Sequence, residues 1–480
     1  MNNKHNHIQS TYIIIAFIFF QNMIGNAQKS ETQMRPPLGW NSFDSYGIYL
    51  NEKNATANME KMAGRYLPFG YEYFVIDAGW YFENEVLKGS NYPVMELGSA
   101  LDQYGVYEPS KTYFPGGIKP LADKAHQMGL KFGLHLMRGI PKKAVKLNLP
   151  VKGTNWRASQ IADTLNVCSW SSLTYGVDMT KPGSQEWYNS IFEKFADWGI
   201  DFVKVDDMTP YPDEILALEK AVQNCGRPII VSLSPGDVTD QLHVPFYRTA
   251  NSVRVTGDIW DRSSDINRSF IAWKKFQGLA TDGFWIDLDM IPFGQLNLEI
   301  PKQYEEERTT ENRNFNHWCR LTKDQMKTFI TMRALACSPL FIGGDLLSMD
   351  DFSYSLITNK HMLQCNQNGV MATNIYENDS IEIWHAREKS NPDKGWIGIF
   401  NRSRLNKAKS FTKIDLGLRQ FFRSTQTIEC PEYIQIYDIW NQKDILMNNQ
   451  LTISIPSEGV VFLEFSIGKN PSATTSGRRQ

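Results

Sequence analysis

Between Pro36 and Gln367 the apolar positions alternate between two rhythms. Short runs rich in aromatic and β-branched residues, apolar nearly throughout, are each followed by a longer stretch in which apolar residues recur three and four apart. The first kind reads as a strand buried on both faces and the second as an amphipathic helix. Eight strand runs occur, at 38–43 (LGWNSF), 71–77 (YEYFVID), 130–136 (LKFGLHL), 201–207 (DFVKVDD), 228–234 (PIIVSLS), 252–257 (SVRVTG), 283–291 (GFWIDLDMI) and 339–345 (PLFIGGD). Helical stretches are expected at 116–129, 184–199, 211–226 and 321–338. In the second of these, Trp187, Ile191, Phe195 and Trp198 are spaced four, four and three apart, which stacks them on one helical face. Eight strand–helix repeats predict an α/β fold, a (β/α)8 TIM barrel over residues 28–367. An open doubly wound sheet is the alternative, weakened because no GxGxxG fingerprint follows a strand.

After NQNG (366–369) the helical period ends. IEIWHARE, GWIGIFNRS, YIQIYDIW, LTISIP and GVVFLEFS alternate with period two and are separated by Asn, Lys, Pro and Gly, predicting an antiparallel β-sandwich over 368–468. The tail 469–480 reads as disordered. At the other end, Lys4 precedes an apolar run from Tyr12 to Phe20, and the small residues Gly25 to Ala27 follow. That layout predicts a cleavable signal peptide over 1–27, hence a secreted or periplasmic protein without a membrane anchor after cleavage. The run is short for a membrane-spanning helix, although an uncleaved anchor is the competing reading.

Composition narrows the class. With 42% hydrophobic and 21% charged residues in 480, the chain has material for a large core. Its net charge is −2, and −3 once residues 1–27 are removed, so it offers a nucleic-acid backbone no attraction. Cys168, Cys225, Cys319, Cys337, Cys365 and Cys430 form no CxxC pair, which argues against a zinc or dithiol site. Disulfides are possible after export, while Cys225, Cys337 and Cys365 read as buried thiols. The eight histidines show no metal-ligand spacing, and His135, at a strand end, would be a lone ligand. A metal-poor protein is expected.

In a barrel, reactive groups project from the carboxyl ends of the strands. The acids there are Asp77, Asp206, Asp207, Asp258, Asp287, Asp289 and Asp345. Each alone could cap a helix, but several converging on one mouth repel one another unless cations compensate. Lys204 lies two residues before Asp206 in an apolar strand and so points to the same side. Arg254 stands in the same way ahead of Asp258. Both are either structural ion-pair partners or cations that bind sugar hydroxyls and keep a neighbour ionised. Opposed carboxylates with aromatic residues nearby suit glycoside hydrolysis. Trp40, Phe43, Trp80, Trp260 and Trp285 are candidates to stack on sugar faces, though each could equally be core.

These segments resemble, in order, those of glycoside hydrolase family 27, the α-galactosidase and α-N-acetylgalactosaminidase family. The likeness runs through PPLGWNSFDSYG, YEYFVIDAGW, GLKFGLHL, DFVKVDD, RVTGDIWD, WIDLDM, SPLFIGGDL and LITNKHMLQCNQNG. It implies a secreted, exo-acting, retaining enzyme, with no metal and no organic cofactor, that removes terminal α-D-galactosyl residues from oligosaccharides or polysaccharide side chains. By position, Asp206 corresponds to the nucleophile and Asp258 to the acid/base. Lys204, Arg254, Asp77 and the pair Asp289–Met290 correspond to sugar-binding residues, and Phe43 stands where a tryptophan is usual. Trp80 is expected as a pocket wall, and His135 and Ser234 as further sugar contacts. Departures bear on the substrate. The galactosidases have a second Asp where this chain has Ala78, a tyrosine where it has His135, and a different selector loop where it has Leu233 to Asp237. Losing a carboxylate removes charge-assisted hydrogen bonds worth on the order of 1.5–3 kcal/mol each. A β-L-arabinopyranoside, which lacks the C6 hydroxymethyl group of an α-D-galactoside, and an α-N-acetylgalactosaminide are therefore alternative substrates. A silent sugar-binding protein is the alternative of another class. His135 and Arg138 either replace a lost donor or only cap their strand.

Overall fold

The structure, a computed structural model, describes residues 34–83, 98–299 and 316–468, apart from 170, 172, 236–239, 419, 423–426, 430–432 and 448. The expected signal peptide (1–27) and tail (469–480) lie outside the described residues. Eight parallel strands form the barrel: β1 (Leu38–Asn41), β2 (Tyr73–Ile76), β3 (Lys131–Met137), β4 (Phe202–Asp206), β5 (Ile230–Leu233), β6 (Ser252–Arg254), β7 (Trp285–Asp287) and β8 (Leu340–Ile342). Each expected run supplies one strand, and the longer runs at 252–257 and 283–291 shorten to three residues because the chain leaves the sheet to build the mouth. Beyond β7, Ile291 bridges to β8: its N–H donates to Phe341 O (2.8 Å) and its carbonyl accepts from Gly343 N (2.9 Å), closing the ring.

The helical period is realised as Ile118–Gln127, Ser184–Asp197, Pro212–Asn224 and Lys323–Leu335. Trp187, Ile191 and Phe195 are buried as their spacing predicts, and Trp198 follows as the half-buried C-cap. Inside the barrel Tyr73, Val75, Phe202, Ile230, Met290 and Phe341 pack together, so the floor below the mouth is solid. An antiparallel three-stranded sheet, Ile140–Pro141, Ala162–Val167 and Thr174–Val177, is inserted between β3 and β4. Its middle-sequence strand mixes polar and apolar residues and buries none of them fully, so it lacks the continuous apolar run by which buried strands are recognised.

The chain then forms a six-stranded antiparallel sheet that faces the antiparallel strand pair Lys407–Thr412 and Gln450–Ile455. Period-two alternation sends its two faces to different cores. In Ile381–Arg387, Ile381 and Ile383 enter the sandwich core with Phe411 and Leu451, while Trp384 and Ala386 join the barrel's outer core. Among the described residues Cys168, Cys225, Cys319, Cys337 and Cys365 are free thiols, with Cys225 half-buried rather than buried, and Cys430 lies outside them. The possible disulfides are thus not formed among these five.

Candidate active site

The carboxyl ends of the strands open into a cavity of about 880 Å³, a size suited to a small ligand. Strand alternation delivers its central group. Lys204 is paired in register with His135 on β3 and Ser232 on β5, and it points with Asp206 to the barrel axis. Lys204 Nζ donates to Asp77 Oδ2 at 2.9 Å and lies 3.9 Å from Asp206 Oδ1. Asp206 Oδ2 lies 3.1 Å from His135 Nε2. An ionised carboxylate can only accept, so that nitrogen carries the proton. Burial alone would raise the Asp206 carboxyl, but Lys204, His135 and Arg254 overcome it and hold the group well below the usual carboxylate range. Its Oδ1 is buried without a hydrogen-bond partner, with the Lys204 ammonium 3.9 Å away.

Asp77 is tied on both oxygens. Oδ2 accepts from Asn41 Nδ2 (2.7 Å) and Lys204, and Oδ1 accepts from Ala78 N (2.8 Å). Burial opposes its ionisation, yet Lys204 and His135 keep the carboxyl below its ordinary value. Asp77, His135 and Asp206 place ligand-type atoms within 4.8 Å of one another, a grouping able to surround a cation, and the Lys204 ammonium supplies positive charge at that place.

Across the mouth, Arg254 is buried and forks between Asp258 Oδ1 (3.0 Å) and Asp289 Oδ1 (3.2 Å). Asp289 also accepts from Ile259 N (2.8 Å), fixing the loop that carries Asp258. The side chain of Asp258 is 54% exposed against 15% for Asp206, so the two acids meet different surroundings. Below them Asp287 accepts the Asp289 N–H, and burial followed by repulsion from Asp289 pushes its carboxyl up to about 6.

The cavity therefore gathers Asp77, His135, Lys204, Asp206, Arg254, Asp258, Asp289, Met290 and Phe43 from the expected set. Trp80 is a correction: it is 1% exposed, donates Nε1–H to His135 O (2.9 Å) and packs edge-on against Tyr81, Tyr107 and Trp198. It shapes β3 from behind and forms no wall. Trp40 and Trp285 are likewise core, whereas Trp260 lines the cavity. Ser234 is buried beside a one-water-sized space beneath the floor, lined also by Lys204 and Arg254. Asp345 turns away to accept from Tyr46 Oη and Ser348. Arg138 is fully buried, salt-bridged to Asp207 (2.9 Å) and Glu214 (2.5 Å), so it is a framework group behind the nucleophile.

Sequence reasoning passed over Asn41, Asp44 and the wall made by the inserted sheet, where Val167, Ser169, Ser171 and Leu173 line the cavity. Asn41 ends β1 and was legible by the strand-end rule had amides been counted with acids.

The chain is matched in sequence and fold by known proteins. The model of the glycosyl hydrolases family 31 TIM-barrel domain, of the same clan, matches residues 36–338. A family 27 β-L-arabinopyranosidase from Geobacillus stearothermophilus is 34% identical, with a TM-score of 0.81 over 91% of this chain and 98% of that one. This chain belongs to glycoside hydrolase family 27. A structure described as a putative α-N-acetylgalactosaminidase from Bacillus halodurans is 32% identical, with a TM-score of 0.76 over 90% of this chain and 98% of that one. The α-galactosidase of Cyamopsis tetragonoloba is 26% identical over 392 residues, 80% of this chain and 77% of its own. The family 27 membership makes the protein a glycoside hydrolase acting on O-glycosidic bonds, with a (β/α)8 barrel and a C-terminal antiparallel β domain. No helix among the described residues is long and apolar enough to cross a membrane.

Proposed function

We propose that the protein is an exo-acting, retaining glycosidase for terminal galacto-configured pyranosides, that is, α-D-galactosides and their pentose counterparts, β-L-arabinopyranosides. The observation that carries this reading is the pairing of a buried, cation-held Asp206 with an exposed Asp258, both lining the same cavity. Asp206 attacks the anomeric carbon as the bond to the aglycone oxygen breaks, and Asp258 gives that oxygen its proton. Asp258 then takes a proton from water, whose oxygen displaces Asp206 and releases the sugar. Asp77, Lys204 and Arg254 hold the ring hydroxyls. Retention requires the two carboxyls to act about 5 to 5.5 Å apart.

Ala78 favours the pentose of the two sugars. It lines the cavity beside Asp77 and offers a methyl group where a hydroxymethyl would need a hydrogen-bonding partner. The relative from Geobacillus stearothermophilus, solved in complex with arabinose, agrees with that preference. Turnover of nitrophenyl α-D-galactoside, β-L-arabinopyranoside and α-N-acetylgalactosaminide by one preparation tests it. The arabinopyranoside is expected to have the highest kcat/KM. Failure on all three would leave a sugar-binding protein without catalysis. Export is part of the proposal, supported by the apolar run from Tyr12 to Phe20, and an N-terminus beginning after Ala27 in protein recovered from its native host checks it.

A further inference from the structure

Asp44 is a cavity-lining carboxyl to which the mechanism above gives no task. It lies in the four-residue helix Phe43–Tyr46, is 2% exposed, and its Oδ2 has no hydrogen-bond partner. Around the mouth it stands between Asp77, after β2, and Asp289, after β7, because β8, which separates β7 from β1 there, ends in Gly343 and Gly344 and brings no side chain. Gly343 makes the room: a Cβ at that position would lie 2.0 Å from Asp44 Oδ2. The helix is anchored from behind, with Tyr46 Oη donating to Asp345 (2.6 Å), Asn58 Nδ2 donating to Tyr46 Oη (2.9 Å) and Asn297 N donating to Asp44 O (2.9 Å). A buried carboxyl held in place with an unsatisfied oxygen is costly unless something in the cavity completes its hydrogen bonding.

We propose that Asp44 binds a hydroxyl of the terminal pyranose, giving it both a hydrogen-bond donor and an acceptor. The inference rests on the galacto-sugar reading above. Burial, and then repulsion from Asp289, Asp258 and Asp77, raises the Asp44 carboxyl well above the usual carboxylate range; Lys204 opposes this, and Arg333 faces it from further off. These surroundings favour the protonated form, which has one O–H to give. The ionised Asp77 and Asp206 can only accept, so Asp44 supplies a donor that complements Lys204 and Arg254.

Calorimetric titration of L-arabinose and D-galactose into wild type, Asp44→Asn and Asp44→Ala tests the assignment, with kinetics on nitrophenyl arabinopyranosides lacking the 2-, 3- or 4-hydroxyl. Asp44→Ala is expected to weaken sugar binding by about tenfold or more, while Asp44→Asn, which keeps a donor and an acceptor, stays within about threefold. One deoxy substrate should be turned over equally by wild type and Asp44→Ala, marking the hydroxyl that Asp44 holds. Unchanged affinity in Asp44→Ala, or an equal loss on every deoxy substrate, would overturn the contact. A loss in Asp44→Asn as large as in Asp44→Ala would overturn the donor role. Wild-type protein that binds neither sugar would overturn the galacto-sugar reading and this inference with it, which separates the two failures.

Discussion

Asp77 and Asp206 are both carboxylates held around Lys204, yet their oxygens differ in hydrogen bonding. Asp77 has partners on both oxygens and so can only hold a hydroxyl in place. Asp206 keeps Oδ1 unpartnered, which fits attack on carbon. Asp206→Ala is expected to retain sugar binding while turnover of every aryl glycoside falls to background in a stopped assay. Asp258→Ala should behave differently. A general acid contributes about 10² to 10⁴-fold, most for a poor leaving group that needs the proton. Loss of kcat should therefore be large for alkyl glycosides and small for dinitrophenyl ones, a dependence that steady-state kinetics on a leaving-group series would measure. Asp287 gives a prediction on stability. Its carboxyl is raised from 3.8 to about 6, so the folded state holds that proton more tightly than the unfolded chain. Its contribution is fully present below about pH 4 and is lost as pH rises through about 6, on the order of 3 kcal/mol in all. Asp287→Asn should flatten the fall in urea-denaturation stability between about pH 4 and 7, and an unchanged slope would contradict the assignment.

Strands and helices differ in how plainly their sequences announce them. The eight barrel strands are legible because a parallel sheet buried on both faces needs runs that are apolar throughout, and Lys204 is conspicuous as a charge inside one of them. The inserted sheet is not legible, since Ala162–Val167 is solvated and its polar residues resemble a loop. Asp44 was overlooked for a related reason. β1 stops at Asn41, and Asp44 reaches the mouth on a helical turn three residues later, where a strand-end rule does not look. Trp80 misled because a tryptophan after a strand-ending acid can face the cavity or the helix layer, and only packing decides. Arg138, left open between donor and cap, proves to be the hub between β3, β4 and the helix Pro212–Asn224. It also stacks on Tyr211, 3.5 Å from the ring centre, and its ion pair holds Asp207 at φ +62 beside the nucleophile. Arg138→Leu leaves two buried acids without their cation and should cost about 3 to 5 kcal/mol in chemical denaturation. Removing the partner Glu214 as well should cost less than the two losses added, because the charges are paired.

At the scale of the whole molecule, the barrel and the sandwich share one apolar seam. Trp273, on the helix Ser263–Lys275, stacks on Trp384 with ring centres 3.5 Å apart and planes at 15°, and Phe270 meets Phe400 edge-on. Polar ties surround the seam: Glu458 accepts from Ser263 Oγ and Gln325 Nε2, and its carbonyl accepts from Thr328 Oγ1. The β domain thus covers an apolar helix face that a free barrel would expose, which makes it a structural partner of the catalytic part. Trp384→Ala should cost about 3 to 5 kcal/mol, the usual range for emptying a buried tryptophan site. The same change should separate one thermal transition into two, because the coupling across the seam is what makes the parts unfold together. None of the seam residues named here lines the cavity, so kcat and KM below the first transition should match wild type. Calorimetry and kinetics on that single variant therefore distinguish a load-sharing seam from a catalytic one: a single shifted transition would show that the Phe270–Phe400 contact and the Glu458 ties still couple the two parts, and altered KM would show that the seam reaches the mouth.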